Sequence, residues 1–270
     1  MECYAKFNVR GGNSAFDCIM FDLDDTLYPF SAGISTACKR NIEDFLVERC
    51  GFPQSDASGL RVELFKTHGS TLAGLRALGY DIGADEYHSF VHGRLPYERI
   101  KPGPQLRILL LSITQRKIIF TNSDRVHVSK ALNRLGIEDC FDQIICFETL
   151  NPNLSMATHP EEIPIVLKPS KEAIRIAISV GAVNPHRTLF LDDSLRNIVA
   201  GKALGLRTAL VGTTVKSSEA DYTLDNIDNL AKVILEIGVI GGSSSKAKEQ
   251  KMKRSRSEID MLVSPTTVVA

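Results

Sequence analysis

The sequence predicts an α/β fold, a Rossmann-like, doubly wound parallel sheet into which an all-helical cap is inserted. Two observations carry this prediction. Short β-rich segments alternate with helical patterns along most of the chain. One long interval, residues 30–101, instead shows only the apolar spacing of helices. With 270 residues, 43% of them hydrophobic, the chain can bury a large core and a smaller insert.

Five short segments predict the strands of the sheet. In chain order they are CIMFDL from Cys18, KIIFTN from Lys117, QIICFE from Gln143, TLFLDD from Thr188 and RTALVG from Arg207. Helices are predicted between most of them, bounded by capping signals: from Ser123 or Asp124 to Gly136, from about Pro169 to Gly181, and from Ser194 to Gly205. Strands that alternate with helices at this spacing pair in parallel.

The interval after the first strand predicts a helical insert. Apolar residues recur there at helical spacing, as in Ile34, Cys38 and Ile42 and later in Leu72, Leu75 and Leu78. We therefore predict a core domain of residues 16–29 and 102–240 and a helical cap domain of residues 30–101. A polar excursion, residues 148–164, follows the third strand, and its residues predict no role for it.

Beyond Ile240 the composition changes to a Ser- and Lys-rich stretch, so residues 241–270 are predicted to be a disordered tail. The tail contains a short basic cluster of the nuclear-targeting kind, made of Lys251, Lys253, Arg254 and Arg256. Residues 1–15 contain no apolar segment typical of a secretory signal, and no apolar run is long enough to span a membrane. A cytoplasmic protein is expected, with nuclear entry through the tail as the alternative.

Charge and cysteine content exclude several classes of protein. Lys plus Arg and Asp plus Glu each number 32, so no overall field attracts nucleic acid or an acidic membrane surface. The six cysteines form no Cys-x-x-Cys pair and mostly lie in apolar stretches, which favours reduced, buried thiols over disulfides or zinc. Because positive and negative charges balance, any anionic ligand must be bound by a local site.

Carboxylates crowd the end of the first strand. Residues two apart on an extended segment face the same way, so Asp22 and Asp24 are expected to point into one pocket. Asp192 and Asp193 follow the fourth strand, and the carboxyl ends of parallel strands meet at one edge of a sheet. Four carboxylates against the single Lys168 call for a hard divalent cation, magnesium above all. Even then negative charge is in excess, so one carboxylate is expected to keep its proton and act as a general acid.

Four short motifs carry a resemblance to a known family. DLDDT, TN, LKP and FLDDS occur in the order and spacing of the motifs of the haloacid dehalogenase (HAD) superfamily of phosphatases. The resemblance implies that Asp22 is a nucleophile that forms an aspartyl phosphate. It implies that Asp24 protonates the leaving oxygen and then activates water.

The same resemblance assigns the remaining motif residues. Thr121 and the backbone amide of Asn122 would bind phosphate oxygens, and Lys168 would neutralise charge at the nucleophile and the phosphoryl group. Mg²⁺ would lie on Asp22, the carbonyl of Asp24 and Asp193, with Asp192 as a further ligand either directly or through water.

Longer stretches resemble one branch of that superfamily. DLDDTLYP, TNSDRVHVSKALNRLGI and LFLDDSLRNI are similar to the pyrimidine 5′-nucleotidases related to the suppressor of disruption of TFIIS. The resemblance implies UMP and CMP as substrates, so the expected partner is a small phosphorylated metabolite. The sequence gives no sign of an obligate protein partner. Flavin mononucleotide, a riboflavin-pathway phosphate and pyridoxal 5′-phosphate are the alternatives.

Functions of other kinds are disfavoured by particular features. A protein phosphatase needs an open site, and the long insert argues against one. A non-catalytic binding module would be favoured by a missing nucleophile, yet every charged motif residue is present. A dehalogenase has no use for Asp24, because no oxygen leaving group needs a proton.

Five further residues near the motifs have two interpretations or a structural one. His127 lies one helical turn after the second motif and either approaches the site or is structural. Asn197 either donates to the metal carboxylates or lies on a helix surface, and Tyr28 either stacks on a substrate ring or packs at the hinge. Asp25 is expected to be a turn residue, and Thr26 is expected to brace the loop.

Overall fold

In the computed structural model, residues 14–154 and 163–233 are described. Six parallel strands form one sheet in the order β3-β2-β1-β4-β5-β6. They are β1 (Cys18–Phe21), β2 (Arg116–Phe120), β3 (Gln143–Ile145), β4 (Thr188–Asp192), β5 (Arg207–Val211) and β6 (Tyr222–Leu224). The predicted parallel α/β fold is confirmed.

Helices cover both faces of the sheet, as the buried residues of β1 show. Ile19 and Phe21 face a core that also contains side chains of α5 (Pro104–Ser112) and α6 (Arg125–Leu135). Cys18 and Met20 point to the other face, toward α8 (Lys171–Gly181) and α9 (Leu195–Lys202). Because β1 is buried on both faces and lies where the strand order reverses, its carboxyl end opens into the crevice where doubly wound sheets bind ligands.

Two parts of the sheet differ from the predictions. β6 was not predicted, because a strand of three residues, Tyr222–Leu224, is too short to show a period. QIICFE was predicted as one strand, but β3 ends at Ile145 and the short helix α7 (Phe147–Leu150) begins two residues later. The Cys146 and Thr149 side chains form a capping box there, which starts the helix.

The predicted helix boundaries are correct to within a few residues. Asp124, not Ser123, caps α6, because its side chain accepts hydrogen bonds from the backbone amides of Val126 and His127. Gly136 ends α6 with φ of 70°, a conformation that favours glycine. Ser170 caps α8, and α9 ends at Lys202, before the predicted Gly205.

The predicted helical cap is present. Four helices form it: α1 (Ile34–Glu48), α2 (Gln54–His68), α3 (Thr71–Ala77) and α4 (Ala84–Gly93). Phe45 lies at the centre of its apolar cluster and makes edge-to-face contacts with Tyr87 and Phe90. Phe147 and Leu154, which follow β3, belong to the same cluster. The cap is therefore packed against the segment after β3.

The two ends of the polar excursion are held together by one side chain. Nδ2 of Asn151 donates to the carbonyl of Val166 at 3.0 Å, and Oδ1 of Asn151 accepts from the backbone amide of Val166 at 2.7 Å. A buried asparagine that closes a loop in this way leaves its own polar groups satisfied. Residues 155–162, between these ends, lie outside the described residues.

Several expectations concern parts of the chain that the structure does not describe. The predicted tail, residues 241–270, with its basic cluster, lies outside the described residues, as does Cys3. The other five cysteines are free thiols. Within residues 14–154 and 163–233, none of the helices has the length and apolar character needed to cross a bilayer. The assignment of the ranges to two domains stays a prediction.

Candidate active site

The acidic residues at the ends of β1 and β4 are adjacent in the structure. Asp192 is the last residue of β4, and the Asp22 amide donates to the carbonyl of Leu191 at 2.9 Å. Thr121 follows β2 and is almost completely buried; its hydroxyl accepts from the Ser123 amide at 3.1 Å. The parallel register of the three central strands thus brings three of the four predicted motifs to one edge of the sheet.

Lys168, from the remaining motif, lies among these groups. Its Nζ donates to Asp22 Oδ1 at 2.8 Å, to Asp192 Oδ2 at 2.7 Å and to the carbonyl of Phe120 at 2.7 Å. Burial alone would lower the pKa of Lys168, but the charges of Asp192 and Asp22 raise it above its ordinary value. The lysine is therefore a fixed buried cation that joins two carboxylates.

Asn122 positions that lysine. Its side-chain amide donates to the carbonyl of Lys168 at 3.0 Å and accepts from the Lys168 amide at 2.8 Å. The side chain of Asn122 therefore holds the loop before α8 against the end of β2. The role predicted for Asn122 uses only its backbone amide, and this side-chain contact had no signal in the sequence.

Asp192 has both carboxylate oxygens occupied by protein donors. Oδ2 accepts from Lys168, and Oδ1 accepts from the Ser194 amide and from Asn197 Nδ2, both at 2.9 Å. Asp192 is completely buried, whereas the neighbouring Asp193 is exposed. Of the two interpretations of Asn197, the structure therefore gives the hydrogen bond to a carboxylate.

Three carboxylates form a group that fits a hard cation. One oxygen each of Asp22, Asp192 and Asp193 lies within 4.8 Å of the others. Burial raises the pKa of Asp22 well above its usual range although Lys168 opposes the shift. For the more exposed Asp193, the loss of part of its hydration and the charge of Asp192 raise the pKa to about 7. Raised pKa values mean that the negative charges are under-compensated by the protein. Oxygen ligands with excess negative charge suit Mg²⁺.

Asp24 is held by three donors. Its Oδ1 accepts from His127 Nε2 at 2.8 Å and from the Tyr28 hydroxyl, and its Oδ2 accepts from the Ser123 hydroxyl at 2.8 Å. Burial would raise the pKa of Asp24, but the charge of His127 and the three hydrogen bonds lower it below its usual range. The sequence led us to expect one carboxylate that keeps its proton as a general acid. Among the four motif carboxylates, the raised pKa values instead belong to Asp22 and Asp193, and the removal of these groups from water is the main cause.

Several supporting residues resolve the alternatives left open by the sequence. His127 is buried and contacts Asp24, so it does approach the site. Tyr28 is 3% exposed and its hydroxyl donates a hydrogen bond to Asp24, which favours packing over stacking on a ligand. Thr26 donates to Asp22 Oδ2 at 3.1 Å and so braces the nucleophile candidate. Asp25 has φ of 57°, the conformation of a turn residue.

A cavity of about 310 Å³ adjoins Asp24 between the cap and the sheet. Asp24, Ser123 and His127 line it from the sheet side. Its opposite wall comes from the cap and includes Ile34, Ile42, Phe65, Lys39 and Arg61. A group bound at the carboxylates can therefore extend into a mostly apolar chamber with two basic side chains.

Comparisons with known proteins give the family of this chain. A family model described as haloacid dehalogenase-like hydrolase matches residues 16–205. The chain is 26% identical over 235 residues to phosphate metabolism protein 8 of Saccharomyces cerevisiae, which covers 82% of this chain and 71% of the yeast protein. It is 27% identical over 121 residues to pyrophosphatase PpaX of Bacillus velezensis, where the match spans 43% of this chain and half of the relative.

Solved structures with the same fold include a HAD phosphatase from Thermococcus onnurineus, with a TM-score of 0.57 at 17% identity, covering 83% of this chain and 100% of that one. CbbY from Rhodobacter sphaeroides in complex with phosphate has a TM-score of 0.56 at 18% identity, covering 82% of this chain and 99% of that one. At these identities the likeness shows the fold alone.

The matched range contains all four motifs, and the chain belongs to the haloacid dehalogenase-like hydrolases. The prediction of an enzyme of this superfamily is thereby confirmed. The pyrimidine nucleotidase branch stays a prediction.

Proposed function

We propose that this chain is a magnesium-dependent phosphomonoesterase that works through an aspartyl phosphate on Asp22 and acts on pyrimidine nucleoside 5′-monophosphates. The observation that carries the proposal is the pairing of two differently held carboxylates at one strand end. Asp22 is held beside the buried cation Lys168, while Asp24 is held by three hydrogen-bond donors next to the cavity. Two carboxylates in different environments suit two roles.

These two carboxylates have different roles in the covalent step. An oxygen of Asp22 attacks phosphorus, the bond from phosphorus to the leaving oxygen breaks, and that oxygen takes a proton from Asp24. Water then attacks the phosphorus of the aspartyl phosphate, the bond from phosphorus to Asp22 breaks, and a proton of the water passes to Asp24. Phosphate is released, Asp22 is again a carboxylate and Asp24 is again in its acid form. The negative charge of a bound ester raises the pKa of Asp24 again, which favours its acid form during turnover.

Lys168, Thr121 and the amide of Asn122 would hold the phosphoryl oxygens beside Asp22. Mg²⁺ would be held by Asp22, the carbonyl of Asp24 and Asp193, and it would supply charge neutralisation at the phosphoryl group. The donors already on Asp192 favour a contact from that residue through water. Its hydrogen bond to Lys168 instead fixes the lysine.

Asp24→Asn is expected to lower kcat/KM for phenyl phosphate about 10²- to 10⁴-fold, the usual contribution of general acid–base catalysis. Substrate and metal should still bind, because the amide keeps the size of the side chain. The loss should be smaller for 4-nitrophenyl phosphate, whose leaving group needs no proton. Steady-state kinetics with both esters measures this, and a wild-type rate with phenyl phosphate would reject the role of Asp24.

The cavity supports a leaving group of modest size. Pockets that enclose small ligands usually measure roughly 300–1,000 Å³, so a cavity of about 310 Å³ is at the small end. Its aliphatic and aromatic wall suits a single ring. The Arg61 side chain is 18% exposed and bonds Glu43 through Nε at 2.9 Å. No hydrogen bond from its terminal nitrogens to a described residue is found, so they are available to donate to a ring carbonyl.

The substrate proposal predicts that kcat/KM for UMP and CMP exceeds that for AMP and GMP by at least about tenfold, because a tight pocket excludes the double ring. The assay uses one magnesium concentration and includes flavin mononucleotide and pyridoxal 5′-phosphate. Arg61→Met should reduce the pyrimidine preference, and Arg175→Met, at an exposed position on α8, is the control.

Purine nucleotides as good as pyrimidine ones would reject the nucleotidase assignment. A preference for flavin mononucleotide, a riboflavin-pathway phosphate or pyridoxal 5′-phosphate would select the alternative substrates and leave the mechanism intact. No hydrolysis of any ester with magnesium present would favour the other class, a non-catalytic HAD-fold binding module. We propose a cytoplasmic location, supported by the five free cysteine thiols, and no nucleic-acid partner, supported by the balanced charge of the sequence. We propose no obligate protein partner.

A further inference from the structure

His127 occupies a position between the candidate acid and the cap. It lies on α6, and its side chain is 1% exposed. Nε2 is 2.8 Å from Asp24 Oδ1, and Nδ1 is 2.9 Å from the Tyr97 hydroxyl. The two partners come from distant parts of the chain, one from the loop after β1 and the other from the end of the insert. Both ring nitrogens are thus committed.

Both hydrogen bonds hold the ring. The Tyr97 hydroxyl lies 2.9 Å from Nδ1 and 3.2 Å from the carbonyl of His92; it accepts from Nδ1 when that nitrogen is protonated and donates to it when it is not. A carboxylate only accepts, so Nε2 donates to Asp24. A ring with two such bonds cannot rotate without losing both. His127 is therefore fixed in orientation by Tyr97.

A side chain of the cap lies next to the His127 ring. The ring of His92, on α4, contacts the Asp124 carboxylate and lies 4.8 Å from the ring of His127. Asp124 in turn caps α6, the helix that carries His127. Side chains from the cap and from α6 thus surround the His127 ring.

We propose that His127 is the positioning residue for Asp24: by its bond to Oδ1, and with Tyr97 behind it, it sets the orientation in which the Asp24 carboxyl meets the leaving oxygen. The inference rests on the proposed function, in which Asp24 exchanges that proton. Ser123 and Tyr28 also bond Asp24, but both belong to the sheet side of the site. His127 is the donor whose own orientation depends on the end of the insert. A displacement of a catalytic group by about 1 Å can cost about 10²-fold in rate.

The test compares two esters of similar size that differ in leaving-group basicity, phenyl phosphate and 4-nitrophenyl phosphate, in the full chain with magnesium. His127→Leu removes the donor, and His127→Gln keeps an amide that can donate to Asp24. The value compared is kcat/KM, because it reports the step in which the leaving oxygen departs. His127→Leu should lower kcat/KM about 10- to 100-fold for phenyl phosphate and less than about threefold for 4-nitrophenyl phosphate. His127→Gln should recover most of the loss.

Two more variants complete the experiment. Tyr97→Phe removes one hydroxyl with little change in volume, and it should lower kcat/KM selectively for phenyl phosphate about three- to tenfold. His186→Leu is the control, because His186 is exposed and lies just before β4, at the opposite edge of the sheet. If His127→Leu does not fold, His127→Gln and Tyr97→Phe decide, with selective loss in Tyr97→Phe and near wild-type selectivity in His127→Gln supporting the proposal.

Equal losses with both esters in these variants, or a His127→Gln variant no better than His127→Leu, would overturn the positioning role and leave the phosphatase proposal standing. Unchanged kinetics in His127→Leu and Tyr97→Phe would do the same. A wild-type protein that hydrolyses neither ester would reject the proposed function, and the inference with it.

Discussion

Asp22→Asn is expected to abolish phosphoryl transfer, with kcat for 4-nitrophenyl phosphate lower by several orders of magnitude. The covalent route disappears because an amide oxygen is too weak a nucleophile to form the acyl phosphate bond. The leaving group of this substrate departs without help from a general acid. The rate of hydrolysis therefore reports the nucleophile. The phosphorylated enzyme, sought by intact-mass spectrometry after rapid acid quench, should form in the wild type and be absent in the variant.

The thermal stability of Asp22→Asn distinguishes a loss of chemistry from a loss of folding. Burial raises the pKa of Asp22, which means that folding disfavours its ionised form. A neutral amide removes that cost, so the melting temperature should be at or above that of the wild type. Asp17→Asn is the matched control, because Asp17 precedes β1 at the opposite edge and bonds Arg187 on the exposed surface. Phosphoenzyme on Asp22→Asn would show that another residue is the nucleophile.

Removal of divalent cations is expected to stop hydrolysis of 4-nitrophenyl phosphate, and added Mg²⁺ should restore it. The reason is the charge of the site: Asp22 and Asp193 have raised pKa values and Lys168 is shared with Asp192. A cation that binds only the folded protein also stabilises it, by about 2.7 kcal/mol when its concentration is 100 times Kd. Thermal unfolding with and without Mg²⁺ should therefore differ by several degrees.

Asp193→Asn tests the metal site without any activity measurement. Calorimetric titration of the variant should show Mg²⁺ binding weaker by at least about tenfold, since loss of supporting contacts alone costs roughly 10- to 100-fold in metal affinity. Asp56→Asn, at an exposed position near the start of α2, serves as the control. Full hydrolysis in excess chelator, or equal Mg²⁺ affinity in Asp193→Asn and wild type, would contradict the magnesium proposal.

The sequence was enough to predict which residues gather at the sheet edge, because local rules decide that. Asp22 and Asp24 follow an extended segment and Asp192 ends another, and parallel strands place such ends together. The Asn122 contact with Lys168 was beyond reach, because the two residues are 46 apart in sequence and their pairing depends on how a loop returns to the sheet. No periodicity reports such a contact.

The environment of Asp24 was the hardest part to predict. We expected repulsion between like charges to leave a proton on one carboxylate. That expectation considers the charges alone and omits the hydrogen-bond donors around each carboxylate. His127 and Ser123 lie 103 and 99 residues away from Asp24 in sequence, and they and Tyr28 lower its pKa. Tyr97 enters through the end of the insert, where the sequence shows only helical spacing. Tertiary packing, not local pattern, decided this side of the site.

The shared apolar cluster of the cap has a consequence for access to the site. Phe147 and Leu154 follow β3, yet they are buried among cap side chains. If the cap swings away while α7 stays with the sheet, both side chains return to water, at about 1.5–3 kcal/mol each. That cost alone would leave an open form in about one molecule in 10² to 10⁴. We therefore expect admission of substrate and escape of product to be rare, gated events, with the resting enzyme spending nearly all its time shut.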